Sequence, residues 1–167
     1  MPKISEREIK KVVEQVVAEV ARGQAPVSAP AAGAPSGDGV YADMDRAIEA
    51  ARAAYPKLLA LGVEKRKELI AAMRAASLAR AEELGKMAVE ETGLGKMPDK
   101  RLKIELAAKK TPGVEDIEPY TFTGDKGLTL VELAPFGVVG VITPSTNPAE
   151  TVINNTIGLI AAGNVAV

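Results

Sequence analysis

The fold class is decided by residues 136–167, which read FGVVGVITPSTNPAETVINNTIGLIAAGNVAV. Within them, Val138 to Thr143 form a continuous apolar run, which is typical of a strand buried on both faces of a parallel sheet. A helix is predicted over 149–162, and a Gly-Asn pair then turns the chain into a second strand at 165–167. This order of strand, helix and strand indicates the start of a doubly wound α/β domain. Because two strands do not complete such a sheet, we expect either the N-terminal part of a longer protein or a sheet completed by another chain.

The loop between the first strand and the helix, residues 143–147, carries no charge and is rich in hydrogen-bonding groups. In open α/β sheets, ligands bind beyond the carboxyl ends of the strands, and a helix N-terminus there favours an anion or a developing oxyanion. Asn147 offers an amide donor, and Ser145 and Thr146 offer hydroxyls that reach phosphate or ribose. An alternative stays open, in which these residues only cap the helix and form its turn. The absence of G-x-G-x-x-G argues against an ordinary Rossmann dinucleotide site.

Residues 41–118 show helical periodicity and stop signals. The charged clusters at 99–101 and 109–110 are interpreted as a solvated helix face rather than a binding patch. A stop is expected at Thr-Pro-Gly, residues 111–113, and the glycines at 93 and 95 end the preceding helix. The predicted helices run from Asp43 or Asp45 to Ala54, with Pro56 interrupting the chain soon after, from Val63 to Glu91, and from Asp99 to Lys110.

A hairpin is predicted within residues 119–135. Gly-Asp-Lys-Gly separates two β-prone runs, so Tyr120–Thr123 is expected to pair with Leu128–Leu133.

Residues 1–22 read as one amphipathic helix, in which Ser5 and Glu8 fit a capping box and valines form most of an apolar stripe. Residues 23–40 are dominated by Gly, Ala, Pro and Ser, which predicts a flexible linker. The long linker and the valine-rich helix favour a partner-binding helix over one that docks on its own domain.

The composition excludes several classes of function. The sequence has no cysteine and no histidine, so thiol nucleophiles, imidazole bases and thiolate or imidazole metal sites are excluded, and no metal site is predicted. A net charge of −1 and 3% aromatic residues argue against a nucleic-acid partner. No secretory signal is visible, and the longest uncharged run, 151–167, is too rich in Asn and Gly for a membrane span. An intracellular protein is expected.

Residues 136–167 resemble the opening of the nucleotide-binding domain of the aldehyde dehydrogenase superfamily. The similarity is strongest to the coenzyme A-acylating aldehyde dehydrogenases of bacterial microcompartments, of the propanediol- and ethanolamine-utilisation type. It extends to ETGLGKMPDK at 91–100, KTPGVEDI at 110–117 and TGDKGLTLVELAPFGVVG at 123–140. The N-terminal helix and linker resemble the shell-encapsulation peptide of that group. The resemblance covers nearly the whole chain but only about the first third of such an enzyme.

The resemblance implies an oxidoreductase in which a cysteine attacks an aldehyde, NAD accepts a hydride and coenzyme A accepts the acyl group. It also implies an incomplete Rossmann-like fold in this chain, because the chain covers only about the first third of such an enzyme. The nucleophile is likewise absent from this chain. Further implications are a microcompartment shell protein bound through residues 4–21, a position in the microcompartment lumen within the bacterial cytoplasm, and a homo-oligomer assembled through the hairpin.

The resemblance also assigns roles to the loop. In general aldehyde dehydrogenases the loop reads Pro-Trp-Asn-x-Pro, and the Asn amide lines the oxyanion hole. Both prolines are kept here, but a gapless match places Thr146 rather than Asn147 under that Asn, so either residue is a candidate. The Trp position is Ser145, which implies space for a bulkier cofactor. Ile142, Thr143 and Pro144, with Ser145, match positions that flank NAD.

Three residues of the following helix are assigned structural roles. Asn154 and Asn155 are interpreted as packing or cap-network residues, and Glu150 as a residue that compensates the helix dipole. The alternative to an enzyme is a non-enzymatic shell- or scaffold-binding module, which the absence of His and Cys favours for the chain taken alone.

Overall fold

The computed structural model describes residues 39–167. The chain divides into two units, Met1–Ala42 and Asp43–Val167, and the elements given below belong to the second. The helix predicted at 1–22 and the linker predicted at 23–40, apart from Gly39 and Val40, lie outside the described residues. No helix in the described part of the chain is long and apolar enough to cross a membrane.

Four helices precede the first strands. A single turn of 3-10 helix, Val114–Asp116, follows the fourth helix after the predicted Thr-Pro-Gly stop. The helices are α1 Met44–Leu59, α2 Val63–Ala79, α3 Ala81–Thr92 and α4 Met97–Lys110.

Helix α1 begins as predicted but ends later. Asp43 is its N-cap and accepts a hydrogen bond from the main-chain N–H of Arg46 at 2.8 Å. The expected end at Ala54 is wrong, because α1 continues through Pro56 to Leu59. A proline near a helix end removes a single internal hydrogen bond, and the carbonyl of Pro56 still accepts from the N–H of Ala60 at 3.1 Å.

The helix predicted from Val63 to Glu91 is two helices. Arg80 separates α2 from α3 with φ −110° and ψ 11°, outside helical values. No glycine or proline marks this break, so the sequence carries no conventional signal for it. Gly93, at φ 66°, ends α3 as predicted. Helix α4 begins at Met97, two residues before the expected Asp99, since Pro98 is favourable in a first turn.

A fifth helix, α5, spans Pro148–Ala161 and builds the core together with α2 and α4. Ile104 of α4 and Ile157 of α5 are fully buried. Arg74 of α2 donates to the carbonyls of Ala108 at 2.6 Å and Thr111 at 2.7 Å, which ties α2 to the C-terminal end of α4. The two buried isoleucines belong to one core cluster, in which α4 packs against α5.

Two separate strand pairs complete the description. The hairpin is formed by β1, Tyr120–Gly124, and β2, Gly127–Val131, antiparallel with Tyr120 opposite Val131. Strands β3, Val138–Val139, and β4, Val165–Ala166, are parallel, with Val138 opposite Val165. The predicted hairpin is confirmed, although its second strand ends at Val131 and not at the expected Leu133. The order of strand, helix and parallel strand is confirmed as well.

The strand predicted from Val138 to Thr143, buried on both faces, is shorter and more exposed in the structure, where β3 covers Val138–Val139 and both residues are half-buried. Its pairing with β4 ends at Val141, whose N–H donates to the carbonyl of Val167 at 2.8 Å. Ile142 is 97% exposed. Within residues 39–167 only β4 pairs with this strand, so the other edge of the strand has no neighbouring strand.

Candidate functional site

The candidate site is the loop of residues 143–147, between the carboxyl end of β3 and the start of α5. The main-chain N–H of Asn147 donates to the carbonyl of Pro144 at 3.3 Å, which closes a turn with Ser145 and Thr146 at its centre. Residues 142–146 are exposed and Asn147 is half-buried. All six residues predicted for the site therefore lie in one continuous surface segment above the N-terminus of α5.

The loop holds hydrogen-bond donors that the described part of the chain does not use. The N–H groups of Ser145 and Thr146 donate to no acceptor within residues 39–167. Pro148 is the first residue of α5, so the N–H groups of the first helical turn lie next to the loop. This arrangement attracts an anion or a developing negative charge.

Asn147 occupies the N-cap position of α5, but its side chain makes no capping bond. Its Oδ1 accepts a hydrogen bond from Lys103 Nζ at 3.1 Å, and its Nδ2 lies 3.5 Å from Thr146 Oγ1. The amide oxygen is therefore held by α4, and the amide nitrogen remains a donor on the side of the loop. Helix capping does not account for this side chain.

A buried lysine lies directly under the loop. Lys100 Nζ donates to the main-chain carbonyl of Thr146 and lies 3.9 Å from Oε1 of Glu150. The two side chains are only 4% and 10% exposed. Neither carboxylate oxygen of Glu150 accepts a hydrogen bond within the described residues. The interpretation of the 99–101 cluster as a solvated face is therefore wrong at Lys100, because the start of α5 covers it.

A cavity of about 490 Å³ opens beside the loop between α4 and α5. Lys103, Lys110, Asn147 and Glu150 are among its lining residues. Asn154 also lines this cavity. Its Oδ1 accepts a hydrogen bond from Thr111 Oγ1 at 3.0 Å, and its Nδ2 donates to Asn155 Oδ1 at 3.4 Å. These contacts agree with a structural network at the two asparagines. Across residues 39–167, no group of acidic side chains is arranged to hold a metal ion.

Sequence reasoning did not find Lys100 and Lys103. A signal was present, because residues 100, 103 and 110 recur at spacings of three and seven along α4 and so share one side of the helix. That side faces the loop. The packing of α4 against α5, which the sequence does not specify, is what turns two helix lysines into residues that hold the site.

Three comparisons identify related proteins. The family model described as the aldehyde dehydrogenase family matches residues 10–167. The chain is 52% identical to acetaldehyde dehydrogenase (acetylating) EutE of Escherichia coli over 126 residues, which are 75% of this chain and 27% of that protein.

Two solved structures resemble the described fold. One is a propionaldehyde dehydrogenase from the fucose utilisation bacterial microcompartment of Clostridium phytofermentans, with a TM-score of 0.74, 52% identity and coverage of 77% of this chain and 29% of that one. The other is the Rhodopseudomonas palustris propionaldehyde dehydrogenase with bound CoA and an acylated cysteine, with a TM-score of 0.75, 47% identity and coverage of 78% and 30%. The chain spans less than one third of the length of these relatives.

Proposed function

Because the chain belongs to the aldehyde dehydrogenase family, we propose that it is the N-terminal part of a coenzyme A-acylating aldehyde dehydrogenase. The complete enzyme oxidises a short-chain aldehyde and releases the acyl group as a coenzyme A thioester. The observation that carries the proposal is the exposed loop at 143–147 before a helix N-terminus, in which the N–H groups of Ser145 and Thr146 have no acceptor within residues 39–167.

When bound, NAD accepts the hydride and coenzyme A accepts the acyl group. The loop suits a nucleotide cofactor because it offers two unpaired main-chain N–H groups and the small side chain of Ser145. We assign Ile142, Thr143, Pro144 and Ser145 to the wall of the NAD site. Their exposure in the described part of the chain leaves them accessible to a cofactor.

We assign Asn147 and Thr146 to the oxyanion hole. When a thiolate adds to an aldehyde, the carbonyl oxygen becomes negatively charged, and N–H donors fixed before the reaction stabilise it. Asn147 is supported by its bond from Lys103, which occupies the amide oxygen and leaves the amide nitrogen as a donor. Thr146 is supported by its unpaired main-chain N–H. Since the sequence contains no cysteine, the nucleophile must come from outside these 167 residues.

The other assignments follow from the same proposal. Residues 41–118 form a helical segment, 119–135 an assembly hairpin of a homo-oligomer, and 136–167 the start of the nucleotide-binding domain. Residues 4–21 bind a microcompartment shell protein as an encapsulation peptide and bring the enzyme into the microcompartment lumen. The support is the amphipathic pattern before a long linker, together with the microcompartment origin of the C. phytofermentans relative.

The proposal is tested by expressing the complete coding sequence and measuring NADH formation from short-chain aldehydes with and without coenzyme A. We expect turnover that needs all three reactants and yields the acyl-coenzyme A. The matched control is the 167-residue chain alone, for which we expect no turnover because it has no thiol. Turnover by this chain alone, or a complete protein without coenzyme A-dependent oxidation, would contradict the proposal.

The alternative of a non-enzymatic interaction module is not adopted. The related proteins named above are enzymes.

A further inference from the structure

We propose that Lys100 is a positioning residue. By donating to the Thr146 carbonyl, it fixes the position and orientation of the 143–147 loop relative to α4. Lys100 itself touches no substrate, and the effect expected on turnover rests on the function proposed above. Its structural part, that Lys100 immobilises the loop, stands independently of that function.

The loop has few internal restraints. Its internal main-chain bond within the described residues runs from the N–H of Asn147 to the carbonyl of Pro144. Two further bonds come from α4: Lys100 to the Thr146 carbonyl, and Lys103 to the Asn147 side chain. Of these, only the Lys100 bond holds the main chain of the loop, and it is made by a buried group. The end of the loop is also tied to α5, because the N–H of Thr151 donates to the carbonyl of Asn147 at 3.1 Å. Among the contacts from α4, the Lys100 bond is therefore the one that restrains the main chain of the loop.

The charge of Lys100 is balanced by Glu150, but Glu150 does not hold it by a hydrogen bond. Lys100 Nζ and Glu150 Oε1 are 3.9 Å apart, beyond hydrogen-bond distance. The direct bond of the ammonium goes to the loop. Glu150 lies in the first turn of α5, where it compensates a buried charge that would otherwise be costly. Lys100 and Glu150 thus link α4 to the loop and to the first turn of α5.

The aliphatic part of the Lys100 side chain packs beside Gly95. A β-carbon at Gly95 would lie 3.0 Å from Lys100 Cε, and 3.7 and 3.8 Å from Cγ and Cδ. Gly93, two residues earlier, also has a positive φ, 66° against 84°, but a β-carbon there would meet nothing within 4 Å. The chain therefore contains a matched pair of glycines with similar backbone strain, of which only one touches Lys100.

The first test uses Lys100→Met in the complete enzyme, a change that removes the ammonium and keeps a stem of similar length. We expect hydrogen exchange of the Asn147 amide, whose N–H is bonded to the Pro144 carbonyl within the loop, to rise by about tenfold or more. We also expect kcat to fall ~10- to 100-fold with a much smaller change in the KM for NAD, because a shift near 1 Å misplaces the oxyanion donors. Unchanged exchange in the loop would overturn the proposal, whether or not the enzyme is active.

The second test separates positioning from a purely structural ion pair. Lys100→Met together with Glu150→Met removes both buried charges, which should restore the thermal midpoint lost in the single variant. If Lys100 positions the loop, fast exchange and low kcat persist in this double variant. Recovery of wild-type exchange and kcat together with the midpoint would overturn the proposal.

The third test leaves Lys100 in place. Gly95→Ala should displace the lysine stem and raise exchange in the loop, whereas Gly93→Ala should change the midpoint through backbone strain alone. Equal loop exchange in the two variants would overturn the proposal. If the wild-type complete protein has no coenzyme A-dependent turnover, the proposed function fails, and the exchange measurements still decide the role of Lys100.

Discussion

The side-chain oxygen of Asn164 accepts a hydrogen bond from the main-chain N–H of Gly137 at 2.9 Å, with both residues buried. This bond joins the turn after α5 to the start of β3 and so fixes the strand that leads into the loop. Asn164→Ala would leave the Gly137 N–H without its partner. We expect a loss of about 1–3 kcal/mol in the free energy of unfolding. Thermal unfolding of the complete protein measures it.

Ile157 is fully buried between α5 and the neighbouring helices, whereas Val152 of the same helix is 52% exposed. Ile157→Ala should destabilise the protein by about 2–5 kcal/mol, since it removes buried methyl groups and leaves a cavity. Val152→Ala is the matched control and should change stability by less than about 0.5 kcal/mol. Denaturant unfolding monitored by circular dichroism compares the two, and equal losses would show that α5 does not pack as described.

Asn147→Ala should lower kcat of the complete enzyme by ~10²-fold, the cost of removing one donor to an oxyanion. Thr146→Val, which removes the hydroxyl and keeps the main-chain N–H, should have a smaller effect. Steady-state kinetics with saturating NAD and coenzyme A measure both variants. If Asn147→Ala has wild-type kcat, the donor is Thr146 or the main chain of the loop.

Deletion of residues 1–22 should abolish co-sedimentation of the complete enzyme with microcompartment shells and leave its turnover in solution unchanged. The reason is that a helix joined through a long Gly/Ala/Pro/Ser linker can bind a partner without taking part in the catalytic fold. The measurement is the enzyme fraction in the shell pellet, with turnover of the supernatant as control. Loss of turnover together with sedimentation would assign the helix to the catalytic fold.

Glu115 provides a test of pH dependence. Hydrogen bonds from its own main-chain N–H and from that of Gly113, with the charge of Arg74, lower the pKa of its carboxyl below the ordinary value. A lowered pKa in the folded state adds stability above the unfolded pKa of about 4.3, and this stability is lost as the pH falls through the folded value.

Glu115→Gln should therefore lower the thermal midpoint at neutral pH and converge with wild type in acid. The expected difference is below about 1 kcal/mol, because the carboxylate is largely exposed and screened by solvent. Thermal scans from neutral to acid pH, with Glu118→Gln as the control, measure it. A difference that grows on acidification would contradict the assignment.

The sequence predicted elements where local chemistry marks them. The Asp43 cap, the left-handed Gly93, the hairpin turn and the strand–helix–strand order all carry residue types that favour one local structure. It did not predict the break at Arg80, where both neighbouring segments are good helix formers, or the burial of Lys100, which depends on how α4 packs against α5. The loop was found because it lies between two recognisable elements, and its supporting lysines were missed because they belong to a distant one.

The hairpin has a further consequence for how the chain folds. Its two-residue turn lets β1 and β2 pair within microseconds, whereas β3 and β4 must close a crossover through α5 before they meet. Every residue of β1 and β2 is exposed in the described part of the chain, including Tyr120, Phe122, Leu128 and Leu130. The hairpin therefore presents apolar side chains and open strand edges both before and after the core assembles, until another surface covers it, which makes it prone to aggregation in the newly made chain.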